Sequence, residues 1–140
     1  LRRSLEVFDR IIVAVAGASP KDTFFSPEDR VEMLESAVLD LDGVEVILFS
    51  GLLVEFARDK EATAVIRGLR VVSDFEYEFQ MALMNRSLDD EFETVFLMPS
   101  QENIYLSSRI VKVVASLGGG IERFVPSVVR DALAEKIGER

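Results

Sequence analysis

The stretch that decides the fold class is Arg10-Ile11-Ile12-Val13-Ala14-Val15-Ala16-Gly17, a continuous apolar run rich in β-branched residues. Such a run is typical of a strand that is buried on both faces in a parallel sheet. A helix follows, because Ser26-Pro27-Glu28-Asp29 offers an N-cap serine, a proline at the first helical position and acids in the first turn. The sequence therefore opens its main pattern with a buried strand, a loop and a helix.

The same alternation continues along the rest of the chain. We expect strands at Val44–Phe49, Ala62–Ile66 and Thr94–Met98, and helices at Leu52–Asp59, Ser73–Leu88, Ser107–Leu117 and from Ser127 onward. Ser73-Asp74-Phe75-Glu76 has the pattern of a capping box, and Gly118-Gly119-Gly120 is typical of a helix end. Alternating elements predict an α/β protein with one open, mostly parallel sheet and helices on both faces. Residues 1–140 are expected to form a single domain.

The composition excludes several classes of protein. Twenty-five acidic and 16 basic side chains give a net charge of -9, which argues against a protein that holds DNA or RNA by phosphate neutralisation. The chain has no cysteine and no histidine, so thiolate zinc sites, disulfides and histidine-based triads are ruled out within it. There is no apolar run of roughly 18 residues and no apolar signal core near Leu1, which predicts a cytoplasmic protein without a membrane contact.

Basic side chains stand after the predicted strands of this acidic chain. They are Lys21, Arg67, Arg70, Arg109 and Lys112. Ligands of open α/β sheets bind at the carboxyl ends of the strands, so these cations predict an anion pocket, with phosphate as its natural ligand. Gly68 would let the backbone approach a ligand, and Ser107 and Ser108 would add hydroxyl donors at a helix start.

Each of these features also has a purely structural interpretation. Arginines at strand ends often pair with surface acids, and taken alone Arg67 and Arg70 fit that role equally well. Ser107 is more often only an N-cap, and Lys21 is more often a solvated loop lysine. The simplest interpretation of the apolar side chains near the pocket is a core position, and these are Leu52, Leu53, Met81 and Met84. Neither a P-loop lysine motif nor a G-x-G-x-x-G fingerprint is present.

Three motifs taken together resemble one family, the bacterial phosphopantetheine adenylyltransferases. They are Val65-Ile66-Arg67-Gly68-Leu69-Arg70, Ser73-Asp74-Phe75-Glu76-Tyr77-Glu78 and Met84-Asn85-Arg86. The similarity extends to Phe25–Arg30, Val95–Ser100, Leu106–Lys112 and Phe124–Pro126, and so to essentially the whole chain. The resemblance implies a Rossmann-like sheet of the adenylyltransferase type.

The resemblance also implies an activity. The family transfers the adenylyl group of ATP to 4'-phosphopantetheine, which gives dephospho-coenzyme A and pyrophosphate in coenzyme A biosynthesis, with Mg²⁺ and as a homohexamer. Two alternatives stay open at this point. One is a related nucleotidyltransferase with another phosphorylated acceptor, and the other is a nucleotide-binding module without catalysis.

Site residues follow from the resemblance by position. Those implied to contact phosphopantetheine are Lys21, Leu53 and Arg67, with Lys21 and Arg67 near its phosphate and Leu53 against the pantetheine arm. Those implied to hold ATP are Gly68, Leu69, Arg70, Glu78, Asn103, Ile104, Tyr105, Leu106, Ser107, Ser108 and Arg109, where Asn103 replaces a common aromatic residue. The resemblance implies no protein side chain as a ligand of Mg²⁺.

The family's catalytic histidine has no counterpart in the chain. It belongs to a threonine- and histidine-bearing segment that follows the family's first strand, which is central in such a sheet. We therefore expect the natural protein to carry about 20 further residues before Leu1, with that strand and that segment.

Overall fold

The computed structural model describes residues 1–17, 23–70 and 72–138, and at residues 72–74 it describes the backbone alone. In chain order the elements are α1 (Arg2–Leu5), β1 (Ile11–Ala16), α2 (Pro27–Val38), β2 (Val44–Phe49), α3 (Leu53–Asp59), β3 (Ala64–Gly68), α4 (Val72–Leu88), β4 (Glu93–Leu97), a 3-10 turn (Gln101–Asn103), α5 (Ser108–Ser116) and α6 (Ser127–Gly138). Strands and helices alternate from β1 to α5, so the predicted α/β class is confirmed.

The four strands form two sheets of two strands each. β1 pairs with β2, and β3 pairs with β4 in parallel, with Ile66 opposite Val95 and Arg67 opposite Phe96. A parallel pair needs a crossover connection, which α4 supplies between β3 and β4. The parallel arrangement is thus confirmed for β3 and β4.

The chain divides into two compact units, each with its own apolar core. The first unit holds residues 1–48 and 106–140, and the second holds residues 49–105. In the first unit Val111, Ile121 and Leu133 form the buried cluster. In the second unit Val54, Ala57 and Phe92 form it.

β3 begins and ends two residues later than the sequence pattern predicted. Its last residues, Arg67 and Gly68, lie opposite Phe96 and Leu97 of β4. Arg67 therefore lies inside the carboxyl end of the strand and not in the loop after it. The predicted end at Ile66 was wrong because pairing with β4, which apolar periodicity does not detect, continues through the polar arginine.

β1 is covered less completely than predicted. Ile11 and Val15 are 8% and 4% exposed, whereas Ala14, which points to the other face of the strand, is exposed. The expectation of burial on both faces was wrong because β1 has a well-covered face on one side only. Arg30 of α2 lies at the end of β1, where its Nη2 donates to the carbonyl oxygen of Ala16 at 2.7 Å.

The helix signals at the start of α2 and after α5 match the observed helix ends, whereas α4 begins at Val72, so Ser73 lies inside the helix and not at its N-cap. Ser26 accepts a hydrogen bond at Oγ from the Asp29 amide, and its own amide donates to the Asp29 carboxylate, both at 3.0 Å. Past the end of α5, the Gly118 amide donates to Ala115 and the Gly119 amide to Val114, with Gly118 at φ 75°. The predicted N-cap at Ser26 and the predicted glycine end of α5 are thus confirmed, and the structure adds that the first is a capping box and the second a Schellman motif.

Three predicted core residues are exposed, namely Leu52 (50%), Met81 (38%) and Met84 (57%). α4 carries apolar residues around most of its circumference, so Phe75 can pack on Phe96 of β4 while other apolar side chains face outward. Four of these share one exposed face at helical spacing, and we call them the α4 stripe: Tyr77, Met81, Met84 and Leu88.

Of the helices in the described part of the chain, none combines the length and the apolar character that a membrane span requires.

Candidate active site

The second unit places Arg67 and Glu78 in direct contact. The Nε of Arg67 donates to Oε2 of Glu78, and its Nη2 donates to Oε1, both at 2.6 Å. The helix brings the carboxylate there, because Phe75 of α4 packs on Phe96, which is the neighbour of Arg67 across the strand pair. Glu78 follows Phe75 by about one helical turn and so lies on the same side of α4.

This contact further stabilises the charged form of Arg67. Its hydrogen bonds to Glu78 raise the pKa of Arg67 above its ordinary value, partial burial opposes that effect, and the negative charge of Glu78 adds to it. The Arg67 side chain is 44% exposed, whereas Glu78 is only 14% exposed. The carboxylate thus lies on the inner side of the pair and the cation on the outer side, where an anionic ligand can reach it.

The residues that follow Arg67 have different surroundings. Leu69 is 8% exposed, and its amide donates to the carbonyl of Leu97 at 3.2 Å, so it anchors the strand end in the protein. A direct contact between the Leu69 side chain and a nucleotide does not fit this burial. Gly68 and Arg70 are exposed.

Packing against the described residues does not require glycine at position 68. A Cβ built on Gly68 would meet no atom of the described residues within 4 Å, and its φ lies outside the left-handed region. Glycine is otherwise unfavourable in a strand because it loses the most conformational freedom on folding. Its exposed backbone leaves room for the close approach of a ligand that the sequence predicts.

The apolar part of the predicted acceptor site lies at the start of α3. Leu53 is its first residue, is half-buried, and packs against the core cluster of the second unit. Leu53 can therefore offer one side to an apolar ligand while the other side stays in the core. Lys21, the other residue predicted to contact the acceptor, lies outside the described residues, as do the side chains of the predicted Ser73–Asp74 cap.

The predicted ATP segment from Asn103 to Arg109 spans the division between the two units, which falls between Tyr105 and Leu106. In the second unit, Asn103 Nδ2 donates to the Ser100 hydroxyl at 2.8 Å, and Tyr105 is exposed, as is Ile104. The Asn103 side chain is thereby held at the 3-10 turn.

In the first unit, Ser107 is the N-cap of α5. Its Oγ accepts a hydrogen bond from the Ile110 amide at 3.2 Å, so the structural interpretation of this serine is confirmed. The hydroxyl hydrogen of Ser107 is not used in that bond and can still be donated. Ser108 and Arg109 are exposed in the first turn, and Leu106 is half-buried before it.

Lys112 takes part in the packing of the first unit. Its Nζ lies 5.5 Å from the ring centroid of Phe24, in a cation–π contact. Phe24 also packs against the core of that unit. The half-buried Lys112 side chain is therefore part of the packing around Phe24, and its place in the anion pocket stays a prediction.

The described residues do not form a binding site for Mg²⁺ made of protein ligands alone. No group of three or more aspartate, glutamate, histidine or cysteine side chains there could hold a metal ion. The described residues therefore do not fit a dedicated metal site. Mg²⁺ is commonly bound through substrate phosphates and water, with few protein ligands.

The contact between Arg67 and Glu78 was not predicted. The resemblance assigned Arg67 to the acceptor and Glu78 to ATP, and apolar periodicity contains no signal for an ion pair 11 positions apart. The signal that could have found it is topological. A residue at the carboxyl end of a strand and one in the second turn of the following helix come close in a strand–loop–helix unit.

Comparison with known proteins identifies the family of the chain. A family model described as cytidylyltransferase-like matches residues 1–114, which makes the chain a nucleotidyltransferase by class. Phosphopantetheine adenylyltransferase of Moorella thermoacetica is 51% identical over 99% of the chain and 86% of the relative. The protein of that name from Geotalea daltonii is 51% identical over 97% and 84%, and that from Methylacidiphilum infernorum 47% over 100% and 82%. The chain belongs to the phosphopantetheine adenylyltransferase family.

Proposed function

We propose that the protein transfers the adenylyl group of ATP to 4'-phosphopantetheine, which gives dephospho-coenzyme A and pyrophosphate. The observation that carries the proposal is the guanidinium of Arg67, held at the carboxyl end of β3 beside the exposed Gly68 and Arg70. Parallel α/β proteins bind their ligands at this end of the strands. Membership of the family supplies the identity of the two substrates.

In this reaction an oxygen of the acceptor phosphate attacks the α-phosphorus of ATP in line. A new phosphorus–oxygen bond forms, the bond to the bridging oxygen breaks, and pyrophosphate leaves with the electron pair. The acceptor phosphate is already an anion, so its attack needs no base. The protein contributes mainly positioning and stabilisation of charge, which cationic side chains and helix N-termini provide.

The roles of the residues in the proposal follow their chemistry. Lys21 and Arg67 bind the acceptor phosphate, and Leu53 lies against the pantetheine arm. Arg70 binds the phosphates of ATP, and Gly68 lets them approach the backbone. The remaining ATP contacts come from the segment Asn103, Ile104, Tyr105, Leu106, Ser107, Ser108 and Arg109, while Leu69 supports this site through its backbone. Glu78, which the resemblance places with ATP, contacts Arg67 in the structure.

We further propose that Mg²⁺ accompanies the phosphates of ATP and that the protein acts in the cytoplasm, where ATP is available. A homohexamer is the proposed assembly, in line with the family resemblance. The α4 stripe supports association with other copies, because exposed apolar patches of this kind mark interaction sites.

The test is release of pyrophosphate from ATP by the natural protein, with and without 4'-phosphopantetheine. Release that depends on the acceptor and stops when EDTA removes free Mg²⁺ is the expected result. A protein that binds ATP but releases no pyrophosphate with this acceptor would overturn the proposed function. Release with a different phosphorylated acceptor alone would reassign the substrate.

A further inference from the structure

We propose that Glu78 is a positioning residue for the acceptor phosphate, because it holds the guanidinium of Arg67 in the orientation that binds 4'-phosphopantetheine. The inference rests on the proposed function. It differs from the family resemblance, which places Glu78 with ATP. The observation behind it is the direct contact of Glu78 with the arginine assigned to the acceptor.

Two hydrogen bonds fix the orientation of a planar group, where one bond leaves it free to swing. Glu78 engages Nε and Nη2 of Arg67, each at 2.6 Å, so the guanidinium plane and the carboxylate plane are locked together. Nη1 takes no part in this contact. The edge of the fork that carries Nη1 is therefore held in one direction for a ligand.

The burial of the side chains indicates that Glu78 lies innermost, Arg67 next to it and the acceptor phosphate on the solvent side. The Glu78 side chain is largely covered, and Arg67 is almost half exposed. A covered carboxylate needs a cation and hydrogen bonds to offset its lost hydration, and Arg67 supplies both. A phosphate that arrives from solvent meets the outer edge of Arg67, with Glu78 on the far side of the guanidinium.

The value of this arrangement is preorganisation. An arginine side chain has several rotatable bonds, and a ligand that must order it loses part of its binding free energy. Glu78 fixes the conformation of the Arg67 side chain before the ligand binds. The opposing effect is the negative charge of Glu78, which repels a phosphate at longer range. If preorganisation dominates, removing the charge of Glu78 weakens binding of the acceptor. If repulsion dominates, the same substitution strengthens it.

The test uses Glu78→Gln in the natural protein, with Glu78→Asp as a second variant should the first not fold. Glutamine keeps the shape but can accept only at one oxygen, so one bond and the charge are lost. We expect the KM for 4'-phosphopantetheine to rise about tenfold, as loss of one charge-assisted hydrogen bond implies. The KM for ATP should change less than about twofold.

A double-mutant cycle tests whether Glu78 acts through Arg67. In an Arg67→Ala background the Glu78→Gln change should have little further effect on the acceptor KM or Kd, because the group it positions is gone. Glu76→Gln is the matched control. It removes the same charge from an exposed position on the same helix.

The outcomes separate this inference from the proposed function. Wild-type protein that transfers adenylyl groups while Glu78→Gln weakens ATP alone, weakens both substrates equally or tightens acceptor binding would overturn the inference and leave the function standing. Wild-type protein that neither binds nor adenylylates 4'-phosphopantetheine, by calorimetry and pyrophosphate release, would overturn the function itself. An equal effect of Glu78→Gln with and without Arg67 would also overturn the inference.

Discussion

Arg67, Gly68, Leu69 and Arg70 are neighbours in sequence, and the structure gives each a different surrounding. Arg67 is fixed by Glu78, Gly68 faces open space, and Leu69 is buried against the end of β4. The hydrogen bond from the Leu69 amide to Leu97 anchors the chain between the exposed Gly68 and Arg70.

The arginines carry the first prediction. Replacing Arg67 or Arg70 with alanine should remove charge-assisted hydrogen bonds of about 1.5 to 3 kcal/mol and lower kcat/KM roughly ten- to a hundredfold, without unfolding the protein. Lysine should restore only part of this, because a point charge does not reproduce a planar fork. Steady-state kinetics with both substrates measure the effect, and normal efficiency in both alanine variants would reject the role.

Gly68 carries the second prediction. Because a Cβ at this position meets no protein atom, Gly68→Ala should leave the Tm unchanged or slightly raised, by the loss of freedom in the unfolded chain. The KM for ATP should rise if the backbone here approaches the nucleotide. Thermal unfolding and kinetics on the same sample separate the two effects. Gly43→Ala is the contrasting variant, since its Cβ would lie 2.8 Å from the Asp9 carbonyl oxygen and should destabilise the protein.

At the scale of the elements, α2 shows how a helix end adds stability that depends on pH. Backbone and side-chain hydrogen bonds to Ser26 hold the pKa of Asp29 below its ordinary value of 3.8. A lowered pKa in the folded state means that the contribution is fully present above pH 3.8 and is lost as the pH falls through the lower folded value. The cap should therefore matter at neutral pH and fade in acid.

Ser26→Ala tests this third prediction. The free energy of unfolding should fall by about 1 kcal/mol at pH 7, the usual cost of losing an N-cap. The difference from wild type should shrink below pH 3.8 as the Asp29 carboxylate is protonated in both proteins. Urea titrations at several pH values measure it. A difference that stays constant into strong acid would show that the Ser26 hydroxyl does not contribute to lowering the Asp29 pKa, since alanine keeps the backbone amide that donates to the Asp29 carboxylate.

The start of α3 carries the fourth prediction. The pantetheine arm is expected to lie against apolar side chains near Leu53 and Met84, because a largely neutral arm needs an apolar surface beside its phosphate site. Leu53→Asp should raise the KM for 4'-phosphopantetheine far more than the KM for ATP. Since Leu53 also packs against the core, an equal rise for both substrates would indicate damage to the fold instead.

The elements were predictable from the sequence where their signals are local. Features that depend only on residues close in sequence are the N-cap at Ser26, the glycine Gly118 at the end of α5 and the apolar run of β1. The end of β3 was not predictable, because it depends on pairing with β4, nearly thirty positions further on.

The candidate site was predictable in a similar way. The motif around Arg67 named the residues, but only the three-dimensional structure shows that Glu78 lies against Arg67 and that Lys112 lies against Phe24. The exposure of Met81 and Met84 had no sequence signal, because α4 is apolar around most of its surface. Which apolar side a helix buries depends on what packs against it.

At the scale of the whole molecule, the charge and the apolar surface act in opposite directions. A net charge of -9 keeps copies of the chain apart at long range. The α4 stripe, in contrast, offers Tyr77, Met81, Met84 and Leu88 on one exposed helix face. Apolar attraction acts at contact and charge repulsion is screened by salt, so the proposed assembly should strengthen as ionic strength rises.

Leu88→Glu is the fifth prediction and tests the proposed assembly. Leu88 is exposed at the end of the stripe, so the substitution should leave the fold of a single chain intact. If the stripe is covered by another copy, however, a carboxylate there would be taken out of water without a partner, which is strongly unfavourable. The mass in solution should then fall from that of the proposed hexamer to smaller species, as measured by analytical ultracentrifugation at matched concentration and salt. Leu39→Glu is the control, because Leu39 is 84% exposed and lies outside α4, and it should leave the mass unchanged. A hexamer that survives Leu88→Glu would place the interface on another surface, and wild-type protein that sediments as a single chain would reject the assembly.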